Sequence, residues 1–349
     1  MKPGAAEQPV AVGGQAVVEG VMMRAPAATS VAVRRPDGSL AVRVRLAHRI
    51  AAQYPVLARP GLRGVAVLVE TMYDGMSALS FAAEQAMPED ERPSGAATPA
   101  ALALTLVFSM AFGFFLFAVV PHLLTWAFGV AVGSEDLAGG QAVSFHLLDG
   151  FVKFGIFLGF VWLISKMKDM RRVFEYHGAE HQAVHAFENR LPLTVESLAG
   201  FPTAHARCGT AFMVTVIAVS IFVFAGVFPL LPKDMTPYRV LDQAIYVAIK
   251  LPLVLPVAGL SYELIRFAGK KADSLLGRLL SAPGVWLQAI TTQPPDASQR
   301  EVAIVALKAA LDPAALGAVA GAPEQVRFFR DVAEFEGVLA AAAGPGGTP

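Results

Sequence analysis

Between residues 100 and 130 the chain reads AALALTLVFSMAFGFFLFAVVPHLLTWAFGV, without one Asp, Glu, Lys or Arg. A helix needs about 20 apolar residues to cross the ~30 Å hydrocarbon core of a bilayer. No soluble fold of this size has use for such a run. Three more stretches have the same character. Residues 145–166 carry Asp149 and Lys153 near their start, and residues 209–231 are uncharged. Residues 241–268 contain Lys250 and are expected to be broken by Pro252 and Pro256. Composition agrees: 55% of the chain is hydrophobic and only 16% charged, where soluble domains carry about 25% charged residues. Equal numbers of basic and acidic residues, 28 each, leave no net charge to meet nucleic-acid phosphates. The expected fold is therefore a mainly α-helical polytopic membrane protein with about four transmembrane helices and the lipid bilayer as its partner. Nothing here opposes a homo-oligomer.

The loops orient the spans. Residues 132–144 lack Lys and Arg, whereas 166–172 read KMKDMRR and basic residues follow the fourth span. By the positive-inside rule both termini and residues 167–208 face the cytoplasm. The N-terminus lacks a basic stretch leading into an apolar core, so no cleavable signal peptide is expected.

Outside the spans, residues 1–9 read as disordered and 10–60 as a small β-rich cytoplasmic unit. SVAVRRPDGSLAVRVRL is two strands around a Pro36-Asp37-Gly38 turn, and Gly13-Gly14 and Gly20 bracket another short strand. Residues 61–99 read as an amphipathic helix and linker. The spans occupy 100–166 and 209–268. Residues 269–341 read as a C-terminal helical region that includes EQVRFFRDVAEFEGVLAAAA, and 342–349 as a tail.

Chemistry concentrates in EYHGAEHQAVHAFE, residues 175–188. His177 and His181, four apart, share a helix face and can meet one metal ion, and Glu180 beside that face can take a proton from water. Gly178 weakens a helix by about 1 kcal/mol relative to alanine, unless it serves to let another backbone approach. HARCGT, 205–210, supplies His205 and Cys208, both ordinary zinc ligands, at the cytoplasmic entry to the third span. Two histidines plus one of His205 or Cys208 would leave an open position, the catalytic arrangement; four protein ligands would be the structural one. Nitrogen and sulfur donors favour zinc as the divalent cofactor, with iron or manganese as alternatives. If Cys208 is not a ligand, it is a candidate nucleophile activated by His205.

The bland readings stand beside these. The histidine helix can be a polar interfacial helix and Cys208 a small buried residue at a helix end. His185 fits a supporting position or an exposed one, and Arg207 a substrate clamp or a membrane anchor. Glu263 can reach toward the cluster or simply pair with Arg266. Glu19 and Arg24, flanked by apolar residues, fit substrate contacts or an ion pair inside the β unit. Lys250 in mid-span is functional by default unless Asp149, Lys153 or Asp242 pairs with it.

Five motifs in order carry a family likeness: GGQAVVEGVMMRAP, EYHGAEH, HARCGT, PVAGLSYELIR, and PGVWLQAITTQPPD followed by EVAIVAL. From about residue 11 to 312 the chain resembles the YqhQ-like family of bacterial inner-membrane proteins. The resemblance implies a multi-span protein and a metal-dependent enzyme with its site at His177, Glu180, His181, His205 and Cys208. The family often has proline where this chain has Ala206, which removes no ligand. No substrate comes with the likeness. The residues thus lead to a membrane-embedded metal-dependent hydrolase, with a scaffold clamped by a structural metal and a transporter lined by Lys250 and Asp149 as rivals.

Overall fold

The computed structural model describes residues 10–47, 54–91, 99–206, 208–270, 274–319 and 324–343, without the side chains of 91, 99–103 and 343. The N-terminal segment 1–9 and Arg207 lie outside these.

Four strands open the chain: β1 (Gly13–Val17), β2 (Gly20–Arg24), β3 (Ala28–Arg34) and β4 (Leu40–Leu46). They form an antiparallel meander, and the turn at Pro36–Gly38 joins β3 to β4 as its sequence predicts. Alternate residues face opposite ways, as strand geometry requires. Val17, Met22, Val31, Val33 and Ala41 pack against Ala78, Phe81 and Ala82 of helix α1 (Leu62–Ala86). Val21, Met23, Ala32, Val42 and Val44 face the other way, into the main core.

Among the described residues, four helices are long and apolar enough to cross a membrane. Helix α2 runs from Pro99–Phe114 through a π-helical turn, Phe115–Val119, into Val120–Ala131. Helix α3 is Val143–Ile164. After α4 (Lys168–Glu188) come α5 (Thr210–Val227) and α6 (Arg239–Lys270). Large apolar side chains such as Phe108, Phe151, Phe222 and Leu251 stand exposed on these helices, the surface expected of a protein that meets lipid. Pro252 and Pro256 do not break α6, contrary to expectation: it is one helix of 32 residues. Each proline forfeits a single backbone N–H, and neighbouring helices hold the segment straight enough to continue.

The bundle encloses a polar centre. Lys250 Nζ lies 3.2 Å from Asp149 Oδ2, and Lys153 Nζ lies 3.5 Å from the same oxygen and 3.3 Å from Ser220 Oγ. All three ionic groups are buried. The pairing that the sequence left open for Lys250 is thus with Asp149.

Helix α7 (Leu275–Thr291) packs on α5 and α6. Helix α8 (Ala297–Leu311) begins with a reciprocal cap: Asp296 accepts from the Gln299 backbone and Gln299 accepts from the Asp296 backbone. Its residues Val302–Ala310 sit in the main core between sheet and α4. One expectation fails after it. Gln325–Phe329, read as helix from its apolar spacing, is strand β5, paired antiparallel to β4 with Val44 opposite Gln325. Pairing with β4 overrides local periodicity there. Helix α9 (Val332–Ala343) follows, so only the second half of that stretch is helical. The β unit is therefore not purely N-terminal. Its sheet takes its fifth strand from the far end of the chain.

Candidate metal centre

Helix α4 is amphipathic with its chemistry inward. Tyr176, Ala179, Ala183, Val184 and Ala186 are buried in the main core, which fixes the helix rotation and turns His177 and His181 toward the start of α5. There Cys208 precedes the helix. The ligand atoms of His177, His181 and Cys208 all lie within 4.8 Å of one another. His177 Nε2 is 3.1 Å from Cys208 Sγ. Donors around a tetrahedral zinc ion stand roughly 3.5 Å apart, given bonds of ~2.0–2.3 Å, so the trio is close to ligand spacing.

The hydrogen bonds set the chemistry of each ring. His177 Nδ1 lies 2.8 Å from the Thr291 carbonyl and His181 Nδ1 lies 2.5 Å from the Thr203 carbonyl. A carbonyl only accepts, so each Nδ1 carries the proton and donates. Each Nε2 then presents a lone pair toward the trio. His181 Nε2 is buried with no hydrogen-bond partner. An orphaned buried acceptor costs on the order of 1–3 kcal/mol, and anchoring Nδ1 to a carbonyl is the usual support of a metal-binding histidine. Burial, followed by the neighbouring His177, holds the His181 pKa down at about 3, which keeps the ring neutral. Burial raises the Cys208 thiol, although Thr210 bonds its sulfur. The thiol therefore donates to His177 Nε2. The donor set fits a soft to borderline divalent cation, whose binding would displace that thiol proton.

Glu180 lies on the adjoining face, buried under β1. The Gly14 backbone N–H bonds its carboxylate, and a Cβ at Gly14 would stand 2.8 Å from Glu180 Cγ. Burial drives the Glu180 pKa up to about 7, against a smaller lowering by His177. A cavity of about 360 Å³ between β1, β2 and α4 is lined by Gly14, Arg24, Glu180, His181, His205 and Cys208 among others.

The other expected residues divide. His205 sits outside the trio: its Nε2 lies 3.4 Å from Glu188 Oε2 and its ring abuts that of His185 at 4.5 Å. Burial lowers its pKa. His185 Nε2 donates to the Ala204 carbonyl at 2.9 Å, a support for the 201–205 segment. Glu263 does not reach the cluster, and the charge of Arg266 acts on it without a hydrogen bond. Arg63 of α1 holds it bidentately. Glu19 and Arg24 do not pair with each other. Glu19 takes Arg172 and Tyr176 of α4, while Arg24 takes Asp74 of α1.

Sequence reasoning missed the residues that fix the 201–205 segment beside the trio. Gln288 of α7, fully buried, accepts from the His205 N–H at 2.7 Å and donates to the His205 carbonyl at 2.9 Å. Gln182 donates to the Phe201 carbonyl at 2.7 Å. With His181 and His185, three side chains of α4 thus bind three carbonyls of one short segment. Gly178 has the second of its two expected roles. A Cβ there would collide with the Gln293 carbonyl, and the Gln293 N–H bonds Phe174.

Residues 59–313 match the family described as "Protein of unknown function (DUF1385)". The chain belongs to this family. Over 307 residues it is 33% identical to "Uncharacterized protein YqhQ" of Bacillus subtilis (strain 168), covering 85% of this chain and 91% of that protein. No solved structure matches the chain. The DUF1385 match includes the trio, Glu180 and Gln288, while Gly14, which roofs Glu180, precedes it.

In the metal-free DUF1385 fold, folded Glu180 keeps its proton to about pH 7, whereas an unfolded glutamate releases it near ~4.3. The folded state binds the extra proton in that window, so this group makes stability fall as pH rises from about 4.3 to 7 and level off above. His181 works in the opposite sense between about 3 and 6.5, where the unfolded ring gains the proton that the folded ring refuses. The difference between wild type and Glu180→Gln isolates the first effect. With chelator present, the variant is expected to gain about 3 kcal/mol on the wild type between pH 5 and pH 8. Denaturant unfolding at the two pH values checks this, and equal pH slopes for the two proteins would contradict it.

Proposed function

We propose that the chain is a membrane-embedded, metal-dependent hydrolase. His177, His181 and Cys208 would hold one divalent cation, zinc being the best match to two nitrogens and a sulfur. The observation that carries this is the unpartnered, buried His181 Nε2 aimed into a trio whose two imidazoles are fixed through Nδ1. A cation there supplies Lewis acidity, polarising a carbonyl or phosphoryl group and making water more acidic. Glu180 is placed to move the proton. Hydrolysis adds the water's OH to the electrophile and its H to the leaving group, and a carboxyl with a pKa of about 7 can take that proton and return it. The cavity beside Glu180 would admit the substrate.

The asymmetry of basic residues supports a plasma-membrane protein with both termini and the α4 region in the cytoplasm. On that reading, the trio stands where α5 enters the membrane.

The test is metal content by mass spectrometry on detergent-solubilised protein. About one ion per chain is expected in the wild type, and less than a tenth of that in His177→Ala/His181→Ala, since each lost ligand or support weakens affinity by roughly 10–100-fold. No stoichiometric metal in the wild type, even after reconstitution with zinc, iron and manganese, would overturn the proposal. Glu180→Gln is expected to retain the ion. If it also retained full function in a cell-based complementation, the ion would be structural and the scaffold reading would replace the hydrolase.

A further inference from the structure

Cys208 separates two cavities of opposite character. One is the polar hollow beside Glu180. The other, about 290 Å³, lies between α5, α6 and α7, with Ala211, Thr215, Tyr262, Ile265 and Leu280 in its walls. It is mainly apolar and lies near the lower end of the ~300–1,000 Å³ usual for ligand sites. That space suits part of one chain-like ligand rather than a whole amphiphile. A third hollow of about 400 Å³ shares Tyr262 and Arg266 with the apolar slot and Arg24 with the Glu180 cavity. The slot and the Glu180 cavity meet at Cys208, and the third hollow adjoins each of them through these shared residues.

Charge marks where a headgroup would sit. Arg24 shares the single Asp74 carboxylate with Arg45, and Arg63 holds Glu263 bidentately. Arg266, half-buried in the slot wall, has no ion pair or hydrogen bond among the described residues. It stands four residues before the end of α6, and Ala211 is the second residue of α5. Both helices are long and apolar enough to span a bilayer, so the slot opens where their apolar and polar zones meet.

We infer that the centre acts on an anionic lipid, with an acyl chain in the α5–α6–α7 slot and its phosphate on Arg266. The inference rests on the metal-site reading for its chemistry, but the slot itself does not depend on it. A wholly polar substrate would leave the slot with no purpose, and a neutral lipid would leave the surplus cation of the Arg63–Glu263–Arg266 group without a counter-charge. Guanidinium matches phosphate geometry with two parallel donors. Arg266 and Cys208 both line the slot, so a lipid held there by its chain and its phosphate would carry the linkage between them past the trio.

Full-length protein in phosphatidylcholine vesicles would be photolabelled with phosphatidylglycerol bearing a diazirine on its acyl chain, and the labelled peptides mapped. Labels are expected on the peptides carrying Ala211–Thr215, Tyr262–Gly269 and Leu280–Ser281, above the level on the exposed face of α2 around Phe108. Filling the slot with Ser281→Trp should cut slot labelling roughly tenfold, as loss of a formed pocket implies. Arg266→Gln, at a half-exposed position that folding tolerates, should reduce the preference for phosphatidylglycerol over a phosphatidylcholine probe by on the order of tenfold, one lost charge-assisted hydrogen bond.

Metal content read on the same samples should be unchanged in both variants. Slot labelling no higher than on α2, or labelling indifferent to Ser281→Trp, would overturn the inference. So would displacement of the probe by glycerol 3-phosphate, which would assign Arg266 to a soluble phosphate ester. Specific slot labelling in a protein that binds no metal would uphold the lipid site and sink the hydrolase alone.

Discussion

Asp149→Leu is expected to cost roughly 3–5 kcal/mol of folding free energy, more than Lys250→Met. The asymmetry comes from geometry. Asp149 is the single carboxylate between two buried ammonium groups, at 3.2 Å from Lys250 and 3.5 Å from Lys153. Without it, both lysines stay in the bundle with no counter-charge, and Ser220 offers Lys153 only a neutral acceptor. Without Lys250, Asp149 keeps Lys153. The double variant Asp149→Leu/Lys250→Met removes one charge of each sign and should recover part of the loss, because an apolar pair can replace a buried ion pair at little cost. Thermal unfolding in a fixed detergent would rank the four proteins. If Asp149→Leu came within about 1 kcal/mol of wild type, the cluster would behave as solvated, and a transport path through Lys250 would return as the better reading.

Gly178→Val should lose about 3 kcal/mol of stability and weaken metal binding together. Two effects compete at this position. Any side chain improves helix propensity over glycine, by about 1 kcal/mol for alanine and less for a β-branched residue. Against that, the new Cβ runs into the Gln293 carbonyl, and Thr203 is also close at 3.1 Å. A backbone carbonyl cannot rotate away as a side-chain tip can, so the clash wins. The strain falls on the chain that leaves α7. Thr291, two residues before Gln293, supplies the carbonyl that orients His177. Gly178→Ala should show the same defect at smaller size. Unfolding midpoints and zinc competition titrations would read the two effects, and a stabilised Gly178→Val with wild-type metal affinity would refute the account.

The parts of this fold that announce themselves in the sequence are those governed by local physics. The four long apolar helices follow from bilayer thickness and the β3–β4 hairpin from Pro36-Asp37-Gly38. Strand β2 was hidden because Val21, Met22 and Met23 are buried on both faces of a covered sheet, which erases polar alternation. Strand β5 was misread because its apolar spacing suits a helix, and only β4, far away in the chain, decides otherwise.

The site divides in the same way. His177, Glu180 and His181 follow from their spacing, whereas nothing local distinguishes His205 from Cys208 as the third member. The groups that orient the imidazoles are the carbonyls of Thr203 and Thr291, and a carbonyl leaves no trace in residue identity. Gln288 lay inside a motif that the family likeness picked out, yet its task depends on a segment 83 positions earlier. Glu263 drew attention as a membrane-edge carboxylate, but its partner Arg63 is 200 positions away.

The closing of the sheet has a consequence for biosynthesis. Val44 meets Gln325, so about 280 residues separate the two sides of the last ladder. At ~5–20 residues per second, a ribosome needs roughly 15–60 s to supply the second side after the first. Throughout that interval the outer edge of β4 has open backbone groups, a surface prone to pair with other nascent chains. All four apolar helices are made in the meantime. The sheet-bearing body can therefore reach its final form only after the four apolar helices have been synthesised, and β5 acts as a latch whose fastening follows them.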